Sequence, residues 1–108
     1  MLAFPGKIVA DETSKRLFFT DSNHNRVIVA SFDGQILECI GDGQSGLADG
    51  SFSTARFFRP QGLCFDSKNE LIYVADTENH AIRQIDLKAR TVKTLVGNGR
   101  QARRFGQE

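Results

Sequence analysis

Tryptophan is absent from this chain of 108 residues, and methionine and tyrosine occur once each. Nine phenylalanines therefore carry nearly all the aromatic bulk available to a core. Two cysteines are too few for the disulfide framework of a small secreted domain. Cys39 and Cys64 read instead as two buried free thiols in a reducing compartment. Neither sign of charge is in excess: 14 Lys and Arg against 13 Asp and Glu leave a net +1. No global basic field calls for nucleic acid. No apolar run approaches the roughly 18 residues that a membrane span needs. Met1-Leu2-Ala3-Phe4-Pro5-Gly6 lacks a basic region followed by an apolar one, which argues against a secretory leader and for the cytoplasm. Sustained helical periodicity is missing too. The best stretch for a short helical turn is 53–58, and Arg59-Pro60 would stop it.

What the chain does have is a repeat. Leu71-Ile72-Tyr73-Val74-Ala75 reads as a strand, Asp76-Thr77-Glu78-Asn79-His80 as a polar corner, and Ala81-Ile82-Arg83 as the start of a second strand. An earlier copy runs from Leu17 through Asp21-Ser22-Asn23-His24-Asn25 to Ile28. Asp76 follows Asp21 by 55 positions, and the same spacing separates Asp66 from Asp11 and Pro60 from Pro5. One spacing that fits three landmarks marks an internal repeat. The expected strands are 7–10, 17–20, 26–31 and 35–40, then 62–65, 71–75, 81–87 and 91–96. Asp33-Gly34 is a two-residue hairpin signal. The corresponding turn at Lys88-Ala89-Arg90 is longer, so Gly97 follows Gly41 by 56. Leu17-Phe18-Phe19 is continuously apolar, which suits a strand covered on both faces. Two units of four short antiparallel strands fit two blades of a β-propeller. A sandwich would have no reason to duplicate its turn chemistry at fixed positions.

Asp76-Thr77-Glu78-Asn79-His80-Ala81-Ile82 resembles the D-T-x-N-H-x-I signature of NHL repeats, and Pro60-Gln61-Gly62-Leu63 resembles the P-x-G-[IL] that opens such a blade. The first unit is a degenerate copy: His24 comes one place early, and Pro5-Gly6-Lys7 departs from P-x-G. The segment from Gly41-Asp42-Gly43 through Asp49-Gly50 to Ala55, Phe57 and Pro60 is similar to the long inter-blade connection of the NHL repeat-containing protein 2 branch. The resemblance implies an all-β propeller built of four-stranded antiparallel blades. It divides the chain into a first blade (1–41), an inter-blade connection (42–59), a second blade (60–97), and a tail or start of the next connection (98–108). NHL propellers usually have six blades. Two blades alone leave two outer faces bare, and several hundred Å² of bare apolar surface at about 25 cal/mol per Å² rivals the whole stability of a small domain. The expected solution is a homotrimer that closes a six-bladed ring. The rival is a set of remaining blades supplied by a longer protein. The strands lie in phase with the blade boundaries, so closure is expected through face packing and not through a shared strand.

Gly41-Asp42-Gly43-Gln44-Ser45-Gly46 matches G-x-G-x-x-G, but a phosphate loop also needs a helix opening there. Leu47-Ala48-Asp49-Gly50 is poor helix material, and a similar string recurs at Gly97-Asn98-Gly99. Turn geometry is the better reading. His24 and His80, with Asp21 and Asp76, form one His/Asp set of metal-ligating type. Against it, Asp and Asn side chains at a corner serve its backbone, with the imidazole as a tie to the next strand. Arg56 to Arg59 read as a connection packed on the neighbouring blade. Arg100, Arg103, Arg104 and Phe105 suit single-stranded RNA in composition, or a solvated tail. No nucleophile–base spacing stands out. The expected function is non-enzymatic: a self-assembling scaffold or protein-interaction platform, without cofactor, membrane or nucleic acid. The expected partner face comprises Asp21, Asn23, His24, Asn25, Arg56, Arg59, Asp76, Asn79 and His80. Two other readings stand beside it. One is a metal-dependent lyase or hydrolase of the NHL propeller type, with His24 and His80 on the metal. The other is an RNA-binding propeller.

Overall fold

Side chains alternate across a strand, so Phe18 and Phe19 must leave the backbone on opposite faces. They do so in β2 (Arg16–Asp21), the second strand of an antiparallel sheet in the order β1 (Pro5–Asp11), β2, β3 (Arg26–Ser31), β4 (Ile36–Ile40). The computed structural model describes residues 5–97. A second sheet follows the same plan. It holds β6 (Pro60–Asp66), β7 (Leu71–Asp76), β8 (Ala81–Asp86) and β9 (Thr91–Val96), with β5 (Gly50–Ser51) of the connection paired to the outer edge of β9. In the first three strands of each unit, both ends are displaced by 55 residues. β5 has no counterpart in the sequence reading.

The corners repeat as closely as the strands. Single 3-10 turns, Ser22–His24 and Thr77–Asn79, follow β2 and β7. Each ends on a left-handed residue, Asn25 (φ 56°) and His80 (φ 51°), whose N–H bonds the first turn residue. Asn accepts that conformation readily, and His more readily than most. The fourth strand ends on glycine beneath each corner. A Cβ on Gly41 would meet the Asn25 carbonyl at 3.1 Å, and one on Gly97 would meet Ala81 Cα at 2.7 Å. Both glycines have positive φ, so they are demanded by space and by backbone together. Residues 53–58 form no helix. The Ala55 N–H bonds Ser51 O at 2.9 Å to make one tight turn, and the chain then passes through the bridged residues Arg56 and Phe57 and a bend at Phe58 and Arg59 (φ 52°) to Pro60.

The main core lies between the units. Phe18, Val27 and Val29 of the first unit meet Leu63, Ile72, Val74, Ile85 and Val92 of the second, with Val9 and Phe65 at the margin. The Phe18 and Phe65 rings are 4.7 Å apart and tilted, a favourable aromatic geometry. Phe52, Ala55 and Phe57 of the connection are wedged into the same core. Phe19, Ile28 and Ala30, with Leu17, form a smaller cluster on the opposite face of the first sheet.

Two expectations are corrected. Cys39 and Cys64 are exposed, because Cys39 stands opposite Ile28 and Cys64 opposite Tyr73 on faces that no other element among the described residues covers. The outer faces are also less bare than the run of apolar residues implied. Phe19 is buried by Ile28, Ala30 and Leu17 of its own sheet, and of Phe18, Phe19, Tyr73 and Val74 only Tyr73 is half-exposed.

Candidate functional site

The candidate residues gather at the two corners and along the connection, and the second corner is the fuller. Asp76, at the end of β7, is completely buried. Its Oδ1 accepts the Phe58 N–H at 2.8 Å. Its Oδ2 accepts Asn79 Nδ2 at 2.7 Å and Arg83 Nη1 at 2.8 Å. Asn79 also donates to the Gly46 carbonyl at 2.7 Å. Arg83 projects from β8 on the face it shares with Ile85. It is fully buried, donates to the carbonyls of Arg56 and Ala48 at 2.7 Å each, and reaches Asp49 at 3.1 Å. Its guanidinium lies 4.9 Å from the centre of the Phe57 ring. One charge thus holds four points of a chain segment that has little regular structure of its own. Buried carbonyls need such donors. Thr94 of β9 completes the anchorage by donating its hydroxyl to Asp49 at 2.7 Å.

The first corner uses the same carboxylate differently. Asp21 Oδ2 accepts His24 Nδ1 at 2.9 Å and Arg26 Nε at 3.0 Å. The imidazole therefore ties back to its own corner and not to β3. Asp21 Oδ1 is buried without a partner among the described residues. The position equivalent to Arg83 is Ile28, in the cluster on the open face of this sheet, so no buried cation stands there to grip a leading segment. Asn25 joins the two units by accepting the Arg59 N–H at 2.9 Å. Arg56 pairs with Asp42 at 2.7 Å on the surface.

Of the expected partner-face residues, Asp21, Asp76 and Asn79 are buried and bonded inside the fold, and Asn25 is half-buried. Asn23, His24, Arg56, Arg59 and His80 are exposed. Arg83 was missed by the sequence reading. Its signal was there: along β8 it falls in phase with Ala81 and Ile85, a charge at an inward position. Among the described residues, no set of three or more His, Cys, Asp and Glu side chains is grouped to hold a metal. Gly41 to Gly46 lead into no helix, so nothing there points a row of N–H groups at a phosphate. Arg100, Arg103, Arg104 and Phe105 lie outside the described residues. No helix among those described is long and apolar enough to cross a membrane.

Burial pushes the Asp21 carboxyl up, but the hydrogen bonds from His24 and Arg26 outweigh it and hold the group below the usual carboxylate range. For Asp11 burial is again outweighed, by Arg16 and the Ser14 amide. For Asp49 it is outweighed by Thr94 and Arg83. A carboxylate with a lowered folded pKa contributes stability above its unfolded value of about 3.9 and loses it as pH falls through the folded value. The urea midpoint is therefore expected to hold steady above about pH 5 and to drop below about pH 4. Asp21→Asn should flatten that drop, and an unchanged acid limb in this variant would exclude Asp21 as a contributor.

Residues 57–85 match the family model described as NHL repeat. The chain is 50% identical over 100 residues to NHL repeat-containing protein 2 of Gallus gallus, covering 93% of this chain and 14% of that protein. It is 54% identical over 99 residues to Protein SUPPRESSOR OF QUENCHING 1, chloroplastic, of Arabidopsis thaliana, covering 91% of this chain and 9% of that protein. It therefore spans only a small part of these relatives. Among solved structures, a structural genomics protein of unknown function from Bacteroides thetaiotaomicron superposes with a TM-score of 0.77 at 23% identity, over 88% of this chain and 24% of that one. That likeness concerns the fold alone. Residues 57–85 thus hold an NHL repeat with its signature residues at work in the second corner, and the chain is similar over most of its length to NHL repeat-containing proteins, its sheets of four and five strands built on one repeat plan in a propeller-like all-β fold.

Proposed function

We propose that the chain is a non-enzymatic protein-interaction platform: two adjacent blades of an NHL propeller, with the connection 42–59 between them. In this reading three copies close a six-bladed ring. The observation that carries it is where the signature residues are used. Asp76 and Asn79 bind the connection, and His24 is bonded to Asp21, so the most reactive groups of both corners serve the fold. The side chains left on the rim are Asn23, Arg59 and His80, with Phe58 and Glu78 beside them. A mixed polar and aromatic rim suits a protein partner better than a chemical step.

Two measurements test the reading. In solution the chain should run at about three times its mass of 12.0 kDa. A stable monomer would count against the ring. Metal analysis of protein prepared without chelator should find no stoichiometric zinc or calcium. Stoichiometric metal that disappears in His80→Ala would replace the platform with a metal-dependent lyase or hydrolase. Filter binding to single-stranded RNA that weakens steeply with salt would instead favour nucleic acid, since phosphate contacts release counterions.

A further inference from the structure

The 55-residue repeat relates the one joint seen within the chain to the two faces left open. On the first unit, Val9, Phe18, Val27 and Val29 point into the joint. Their equivalents on the second unit, Cys64, Tyr73, Ile82 and Gln84, lie on its open face. On the second unit, Leu63, Ile72, Val74 and Ile85 point into the joint. Their equivalents on the first unit, Ile8, Leu17, Phe19 and Ala30, lie on its open face. The described residues therefore contain one front-to-back joint and leave open one more front and one more back. Four of the exposed large apolar residues fall on these open faces. Ile8 and Ile36 (each 56% exposed) mark the first unit's open face, and Ile82 (39%) and Val96 (65%) mark the second's.

Resting on the ring reading above, we infer that the open face of the second unit docks on the open face of the first unit in a second copy of this chain. The contact is head-to-tail and mainly apolar, without the ion pairs of the internal joint. Such a heterologous contact closes when its rotation closes. Where the internal joint sets Phe18 against Phe65, the seam sets Tyr73 against Ala10, one aromatic ring in place of two. Most latches do not carry over; the exception is the Ser22 hydroxyl, which donates to the Pro60 carbonyl inside the joint and whose seam equivalents are Thr77 and Pro5. Internally, Arg16 reaches Glu70 at 3.1 Å, the Thr20 hydroxyl donates to the Gln61 carbonyl at 2.9 Å, and Arg90 pairs with Glu38. At the seam the same positions hold Leu71 and Lys15, Ala75 and Gly6, and Gln35 and Lys93. Neither ion pair nor the equivalent of the Thr20 hydroxyl bond can form there.

The experiment uses two variants whose changes fall on exposed side chains, so each chain should fold. Ile8→Glu/Ile36→Glu spoils the first unit's open face, and Ile82→Glu/Val96→Glu spoils the second's. By analytical ultracentrifugation at high chain concentration, each variant alone is expected as a monomer and the equimolar mixture as a two-chain complex. The wild-type assembly is expected to persist from about 0.05 to about 0.5 M salt, because screening has no ion pair to weaken at the seam. A wild-type monomer would overturn both the ring and the seam. A wild-type assembly would leave the ring standing yet overturn the head-to-tail seam if either variant alone still associated, or if the mixture stayed monomeric. Dissociation at high salt would overturn a seam free of ion pairs.

Discussion

Replacing Arg83 with methionine is expected to lower the unfolding free energy by about 3–5 kcal/mol, the usual effect of removing one partner from a buried ion pair. Methionine keeps much of the volume and the contact with Phe57, so packing loss is small. What remains is Asp76, with no exposed surface and no cation, and the carbonyls of Ala48 and Arg56 left with only the amide bonds they exchange with each other. A domain of this size has about 5–15 kcal/mol in all, so the variant should have a strongly reduced urea midpoint at pH 7. The double variant Asp76→Asn/Arg83→Met should cost less than the two single changes added together, because it removes the stranded charge. Strict additivity would show that Asp76 and Arg83 do not act as a pair. Arg83→Lys should fall between wild type and methionine, since an ammonium can reach one or two of the four partners but cannot span them.

The second large effect separates two neighbours in the chain. Phe18→Ala should cost about 3–5 kcal/mol, because its ring is fully enclosed between the units against Phe65. Phe19→Ala should cost less than about 3 kcal/mol, since one side of its cluster is open and the site can relax. Urea unfolding of both variants in the Ile82→Glu/Val96→Glu background keeps association out of the comparison. An equal or larger loss for Phe19 would mean that the two faces have been assigned the wrong way round.

Much of the architecture was legible because the repeat constrains it twice over. A misread strand in one unit would have broken the 55-residue match in the other, and β1 to β3 and β6 to β8 keep that match at both ends. The corner carboxylates were legible as fasteners for the same reason. The objects they fasten were not. Asp76 bonds Phe58, 18 residues earlier in the chain, and Asn79 bonds Gly46, 33 residues earlier. No local pattern encodes contacts of that range. β5 was illegible for a related reason: Gly50 and Ser51 have poor strand propensity and pair with β9 because the connection is held there by Arg83 and Thr94. Cys39 and Cys64 were misplaced because a cysteine's general preference for burial says nothing about which face of a particular sheet is covered.

The strand that the connection lends to β9 settles which unit the connection belongs to. Carbonyl by carbonyl, residues 46–58 are fastened to β7, β8, β9 and the turn between the first two of these. Gene duplication or grafting that moves one blade would therefore carry its leading segment along, with the cut placed just after Gly41. A cut before Pro60 would strand Arg83 and Asp76 without the chain they were shaped to grip, and the transplanted blade would arrive with its deepest charges facing an empty groove.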